Sequence, residues 1–404
     1  VLGDELQMAT NPAGQVDLQV SGQPARITMA EGSLEGPVIR FDQRSNLIWM
    51  DQPGEFTIPT SALSTTPANS TTTSPAGAQA AIDWFEPPHC TWQGRMIFDG
   101  KIVRIEGDIR FDGALAIDRN QFWWINGQSE VLQMELSSAV NLNDLRNNTA
   151  RPLKISVSQN VNILASQLDH AGTKKSRQQL MLPSLSFDNQ LVGIGPGSIR
   201  SWHVAPSSIG RTASSSGSSS TQRAPLALQG AHLVFRDSMS GFLDRSELDF
   251  LGKVEMAVGP LASWDDSIDL AQMQTLKLDQ MQLDCDLLKL YDTSSLSGTS
   301  NLAAGPDNSS KAWEFQAKGN VHFAGKSESG DYAGDGSEVT YVQSKELLTL
   351  MGEPRRPAHI IRSPANRETE GTIHASVEYA AINPRTGAIE NYSVGQEGIR
   401  VELP

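Results

Sequence analysis

The stretch GNVHF (Gly319–Phe323) decides the fold, because variants of it recur as GDIRF (Gly107–Phe111) and GKVEM (Gly252–Met256). Each copy has a glycine, a polar residue, an aliphatic residue, a polar residue and a large apolar residue. In a β-strand, alternate side chains point to opposite faces, so the aliphatic and the large apolar residue share one face. The glycine predicts a bend or bulge at the start of each copy. The inward residues are then Ile109, Phe111, Val254, Met256, Val321 and Phe323.

Alternation with a period of two also extends beyond these copies, as in KIVRIEGDIRF and in LKLDQMQLDCDLLKL (Leu276–Leu290). Turn-forming pairs or triplets follow at Asp99–Gly100, Asp112–Gly113 and Arg385–Gly387. No stretch keeps a convincing helical period over three turns; SIDLAQMQTLKLDQMQL comes closest. The pattern predicts an all-β chain of short antiparallel strands.

Longer phrases recur as well: Phe41–Pro59 resembles Phe187–Trp202, and Tyr341–Pro354 is a third version. The repeating unit is a β-hairpin with a polar tip. One hairpin cannot bury its apolar face in water, whereas stacked hairpins can. We therefore predict an elongated antiparallel β-solenoid built from degenerate hairpin repeats, and one array in preference to several globular domains.

Three stretches are rich in Ser, Thr, Gly and Pro: 60–81, 205–225 and 293–311. They divide the chain into β-repeat segments at 1–59, 82–204, 226–292 and 312–404. Their composition cannot bury enough apolar area to offset the entropy of ordering. They are either linkers between domains or long loops that protrude from one fold, and we expect them to be weakly ordered.

Charge and cysteine content exclude several classes of protein. The 404 residues carry a net charge of −14, which disfavours nucleic-acid binding. No run approaches the ~18 apolar residues of a membrane span, so we expect none in this segment. The chain begins at Val1 without a basic start or an apolar segment, so any export signal would lie outside it. Cys90 and Cys285 lie far apart in sequence, and we expect no disulfide between them.

A search for reactive groups identifies no site, so we predict a protein that is not an enzyme and has no catalytic residue, metal or cofactor. The seven histidines form neither HxH nor HExxH, and no GxSxG motif is present. DYAGDGSE (Asp331–Glu338) resembles the start of a calcium-binding loop. Counted from Asp331, however, the third and twelfth loop positions are Ala333 and Val342, which cannot bind calcium. The stretch is therefore interpreted as a polar hairpin tip. Asp265–Asp266 follow Trp264, an arrangement that some glycosidases could use, but adjacent acids on a loop are usually solvated.

The C-terminal segment contains AKGNVHF followed by AGDGSEVTYVQSKELLTLMGEPRRPAHI. These phrases resemble the OstA-like repeat of periplasmic lipopolysaccharide-transport proteins, and the resemblance is clearest over Ala312–Pro404. The residues that match the family pattern are Gly319, Val321, Tyr341, Leu348, Leu350 and Gly352. The resemblance implies a slightly twisted, V-shaped β-jelly roll whose apolar interior carries acyl chains. It also implies a periplasmic or cell-envelope location and edge-to-edge contact with other such modules.

Three functions remain open from the sequence. The first is a non-enzymatic envelope protein that binds or conducts lipopolysaccharide or a related lipid through an apolar groove, lined by the six inward residues. The second is a structural β-array or scaffold, in which those residues form a closed core. The third is a carbohydrate-active enzyme on a β-solenoid, which requires converging carboxylates in a cleft.

Overall fold

The computed structural model is built from β-strands, which confirms the all-β prediction. It describes residues 1–10, 12, 16–29, 32–57, 83–118, 121–141, 152–169, 171–188, 190–206, 226–242, 247–272, 275–292, 313–342, 345, 347–353, 355–366, 371–384 and 388–402. These residues contain 23 strands and include a short 3-10 helix at Leu270–Gln272. None of the helical structure in these ranges is long and apolar enough to cross a bilayer.

The contacts divide the chain into two compact units, Val1–Ile194 and Gly195–Pro404. The strands of the first unit are β1 Glu5–Thr10, β2 Val16–Met29, β3 Gly32–Asp42, β4 Leu47–Met50, β5 Gly54–Thr57, β6 Asp83–Trp92, β7 Arg95–Phe98, β8 Ile102–Asp118, β9 Gln121–Leu136, β10 Pro152–Leu168, β11 Lys174–Phe187 and β12 Leu191–Ile194.

The strands of the second unit are β13 Gly197–Pro206, β14 Leu226–Phe235, β15 Ser238–Phe242, β16 Glu247–Pro260, β17 Met281–Asp292, β18 Trp313–Ser327, β19 Gly330–Val342, β20 Leu347–Met351, β21 Ala358–Pro364, β22 Thr372–Asn383 and β23 Ala388–Glu402. In both units the pairing is antiparallel, and long strands often face two short ones: β3 pairs with β4 and β5, and β19 pairs with β20 and β21. A long strand thus has two arms, each with its own partner.

The glycine of each repeated phrase lies at a corner between the two arms, as the sequence predicts. Gly319 and Asn320 of β18 both have positive φ angles, +74° and +44°, and together they face the single residue Ser337 of β19. Two residues opposite one is the geometry of a β-bulge, which bends a strand. Gly107–Asp108 of β8 and Gly252–Lys253 of β16 repeat this arrangement.

Close packing explains why these corners use glycine. A Cβ atom on Gly319 would lie 2.6 Å from the Asp286 carboxylate, and one on Gly107 would lie 3.0 Å from the Cα of Gly94. The carbonyl of Gly107 also accepts a hydrogen bond of 2.9 Å from the amide of Gln93. The left-handed conformation and the lack of space together favour a residue without a side chain.

A fourth corner occurs where the sequence has no glycine. Gln159 and Asn160 of β10 have φ angles of +64° and +58° and face the single residue Pro183 of β11. The sequence QNVNI (Gln159–Ile163) therefore occupies the position of the repeated phrase. Its glycine is replaced by Gln159, so the phrase is not visible as a repeat in the sequence.

Each of the three Ser-rich stretches joins two strands that pair with each other. β5 pairs with β6, β13 with β14 and β17 with β18, with Pro206 opposite Leu226 and Asp292 opposite Trp313. Each stretch is therefore the connection of a β-hairpin. The expectation that these stretches are weakly ordered concerns residues outside the described ranges, apart from Ala205 and Pro206.

Three local predictions need correction or qualification. Asp99–Gly100 does form a turn, but Asp112–Gly113 lies inside β8, where Gly113 pairs with Ile125 of the next strand. The predicted strand over Leu276–Leu290 starts only at Met281. Leu276 instead lies before the strand and packs against a small buried cluster formed by Ile268 and by Ala257 of β16. The predicted turn at 385–387 lies outside the described residues.

Candidate functional site

The six candidate residues belong to, or lie beside, rows of apolar side chains that cross the strands. In the second unit, cross-strand pairing places Met256 and Phe323 in one row, which we call the Phe323 row. Its members are Ile199, Leu233, Met256, Leu283, Phe323, Gly334, Ile360, Ala375 and Ile399. Val254 and Val321 are the first residues after the corners of their strands and lie on the same face.

The first unit is built in the same way. Phe111 belongs to a row, the Phe111 row, that consists of Ile27, Leu34, Phe56, Cys90, Phe111, Gly127, Ile163 and Leu180. Ile109 follows the corner of β8. On the other arm, the Met8 row consists of Met8, Leu18, Phe41, Ile48, Phe98, Val103, Met134, Ile155, Phe187 and Leu191.

The candidate residues themselves are sealed within the protein. Ile109, Val254 and Val321 are 0% exposed, Phe323 is 4% exposed and Met256 is 7% exposed. Phe111 is only half-buried. Acyl chains could reach the five buried residues only if the strands above them separate, so in this structure those side chains form a core.

The large apolar residue of the repeated phrase covers a glycine on the neighbouring strand in two of the three copies. Phe111 lies directly opposite Gly127, and Phe323 lies opposite Gly334. A Cβ atom on Gly334 would lie 2.7 Å from the Phe323 ring, so the ring occupies the space that a side chain would fill. The aromatic ring and the glycine thus form a matched cross-strand pair.

The opposite face of the same strands is polar, as the alternation predicts. Asn320 and His322 are exposed. His322 lies between Asp284 of β17 and Asp335 of β19 in the register, and Asp335 lies opposite His359. Even so, within the described ranges no three His, Cys, Asp or Glu residues are placed to hold a metal ion.

The apolar rows become exposed at the terminal strands. Met8 of β1 is 66% exposed, although its neighbour Leu18 continues the row inward, and Leu6 beside it pairs with the buried Val20. At the other terminus, Ile399 of β23 is 43% exposed opposite the buried Ala375.

A second row in the second unit contains a residue that the sequence search missed. This Arg362 row consists of Ser201, Ala231, Val258, Met281, Gly325, Tyr332, Arg362, Ile373 and Val401. The signal was present in AHIIRSP (Ala358–Pro364), where Arg362 is in phase with the buried Ala358, Ile360 and Pro364. A lone arginine in an apolar strand forms no cluster of reactive groups, so motif spacing does not reveal it.

The two cysteines are free and buried, one in each unit. Cys90 lies between Phe56 and Phe111 in the register, and Cys285 pairs with Val254. Burial raises the pKa of each thiol to about 12. Both are therefore protonated and unreactive near neutral pH.

The acidic motifs have structural explanations. Asp266 is exposed and accepts a hydrogen bond of 2.9 Å from the Ser263 amide, so it stabilises a turn. The stretch Asp331–Glu338, interpreted from the sequence as a hairpin tip, lies inside β19, and that prediction was wrong. Its extended backbone pairs with β18 and β21 and cannot wrap around a cation.

A cavity of about 370 Å³ lies at the corner of the first unit, and its lining includes Glu35, Glu55 and Trp92. Glu35 is bound to Arg26 at 2.7 Å, and Glu55 lies 3.3 Å from His89. Trp92 is fully buried and donates a hydrogen bond to the Gln52 carbonyl, so it offers no ring face for a sugar to stack on. The carboxylates of this cavity are thus paired with basic side chains.

Comparison with known proteins adds no identification: no family model, no curated protein and no solved structure matches the chain.

Proposed function

We propose that the chain is a non-enzymatic β-jelly-roll module of the OstA-like type that binds or conducts lipopolysaccharide or a related lipid in the periplasm or cell envelope. The observation that carries the proposal is the course of the apolar rows. Within each unit they cross successive paired strands, and they are exposed at Met8 on β1 and at Ile399 on β23. An acyl chain needs only such apolar surface, worth about 25 cal/mol per Å² buried, and no specific polar group.

The exposed strands supply the second part of the proposal, which is assembly. In the described residues, β1 pairs with β2 alone and β23 with β22 alone, apart from a bridge between Leu2 and Arg26. A free strand edge can pair with a strand of another chain. Another module that docks at either edge would continue the apolar rows and cover the exposed Met8 or Ile399.

The alternative is a structural β-array, and the burial of the candidate residues favours it. Val321 and Phe323 are almost completely enclosed, as in a closed core. The two functions differ in whether these side chains ever meet lipid. In a conduit the strands must separate enough to admit an acyl chain, whereas in a scaffold they never do.

Site-specific photo-crosslinking distinguishes these functions. A crosslinker at Phe323 or Val321 is expected to capture lipopolysaccharide or another envelope lipid, whereas one at His322 or Asn320 on the opposite face is not. Labelling at Met8 but not at Phe323 would restrict lipid contact to the edge. Equal labelling on both faces, or none at any position while a known carrier is labelled, would reject the conduit and leave the scaffold.

A further inference from the structure

Arg362 places a positive charge on an apolar surface. It belongs to β21, where Ala358, Ile360 and Pro364 alternate with it and are buried. In the register its neighbours are the buried Tyr332 of β19 and the half-buried Ile373 of β22. The Arg362 side chain therefore belongs to the inward face of the sheet, beside the Phe323 row.

Among the residues that the structure describes, the Arg362 side chain makes no ion pair or hydrogen bond. By contrast, Arg26 binds Glu35 at 2.7 Å and Arg95 binds Glu106 at 2.8 Å. Burial raises the pKa of the neighbouring Tyr332, so the phenol is neutral and supplies no negative charge. A cation that is partly removed from water without a counter-charge is costly, and such residues usually have a ligand or a function.

The position fits an amphiphile. Residues two apart on a strand lie about 7 Å from each other, so the Arg362 row runs beside the Phe323 row at that spacing. Both rows end in exposed apolar residues on β23, Ile399 and Val401. Since adjacent strands are about 4.8 Å apart, Arg362 lies roughly 10 Å from this exposed edge.

We propose that Arg362 binds the anionic, phosphate-type head group of an amphiphile whose chain lies against Ile399 and Val401, the exposed ends of the two rows. The planar guanidinium presents paired donors that match two oxygens of a phosphate or carboxylate. The inference rests on the proposed function and adds to it the charge of the lipid and the residue that recognises it.

The test measures binding of three probes to the full chain: dodecyl phosphate, dodecyl maltoside and inorganic phosphate. In the unmodified chain we expect both dodecyl compounds to bind, and inorganic phosphate to bind far more weakly than dodecyl phosphate. R362Q is expected to weaken dodecyl phosphate binding about tenfold, the loss of one charge-assisted contact, and to leave dodecyl maltoside binding unchanged.

R400Q is the matched control, because Arg400 lies opposite His374 on the polar face of β23 and its side chain is 81% exposed. R400Q removes the same charge and should leave the binding of both amphiphiles unchanged. Thermal midpoints of both variants show whether the fold is intact.

The outcomes separate the two proposals. If neither amphiphile binds the unmodified chain, the lipid function fails and the inference fails with it. If both amphiphiles bind but R362Q leaves both affinities unchanged, or weakens both equally, the head-group role of Arg362 is wrong while the lipid function stands. If inorganic phosphate binds as tightly as dodecyl phosphate, the site takes a free anion and the lipid head-group assignment is overturned.

Discussion

Strands β18 and β1 carry the same kind of inward side chain in opposite environments. On β18, Val321 and Phe323 are 0% and 4% exposed, with paired strands on both sides. On β1, Leu6 and Met8 are 61% and 66% exposed, with a paired strand on one side. Between these two strands, the number of paired neighbours, and not the residue type, separates core from exposed apolar surface. In the described residues β1 is therefore the open strand of this pair and β18 the sealed one.

Thiol labelling should give the largest contrast between sealed and open positions. A pKa of about 12 makes the thiolate of Cys90 and Cys285 about a thousandfold rarer at pH 8 than that of an ordinary cysteine. Cysteine introduced as M8C should react with a thiol reagent within the time expected for a free thiol, and the two native thiols only after denaturation. Reactivity should rise with pH, as deprotonation does. Rapid labelling of the native thiols would show that the middle strands open.

Truncation of inward side chains should give the second-largest difference between β18 and β1, measured as the loss of unfolding free energy. Phe323→Ala removes a buried ring from above Gly334 and should lower the free energy of unfolding by about 3–5 kcal/mol. Met8→Ala should change it by less than about 0.5 kcal/mol, because Met8 is already exposed. Denaturant titration measures both. Similar losses for the two variants would mean that β1 is covered in solution.

The corner of β18 can be compared with a turn that has the same backbone angle. Gly319 and Gly172 have φ angles of +74° and +75°, but a Cβ atom on Gly172 would meet nothing within 4 Å. Gly172→Ala should therefore cost only about 1 kcal/mol, the left-handed strain of a residue with a side chain. Gly319→Ala should cost about 2–3 kcal/mol, since contact with Asp286 is added. Equal costs in denaturant titration would show that the corner yields without strain.

The smallest effect concerns the corner without glycine. Gln159 is exposed and held at a φ angle of +64°, so Gln159→Gly should raise the free energy of unfolding by about 1 kcal/mol. Leu153→Gly, at an exposed position on the same strand, should instead lower it, since glycine weakens an ordinary strand position. Destabilisation by Gln159→Gly would mean that the Gln159 side chain supports the corner.

The sequence predicts the repeated corner well and the open edges poorly. Glycine followed by a polar residue marks three corners because packing and backbone angle both demand it, and the alternation after Gly319 correctly places Val321 inward and His322 outward. The corner at Gln159 escapes detection since its backbone angle is imposed by neighbouring strands. The exposure of Met8 cannot be predicted from its own residues either, because it depends on which strands pair with β1.

The hairpin connection between β13 and β14 has a consequence for how this chain can change. The strands on either side pair in register from Pro206 opposite Leu226 to Gly197 opposite Phe235. A cut between Pro206 and Leu226 would create new termini that the ladder still holds side by side. Insertions there are expected to cost little, because each doubling of loop length adds only about 0.6 kcal/mol in closure entropy. The connection is therefore suited to the insertion of a guest domain, because the paired strands on either side keep their register.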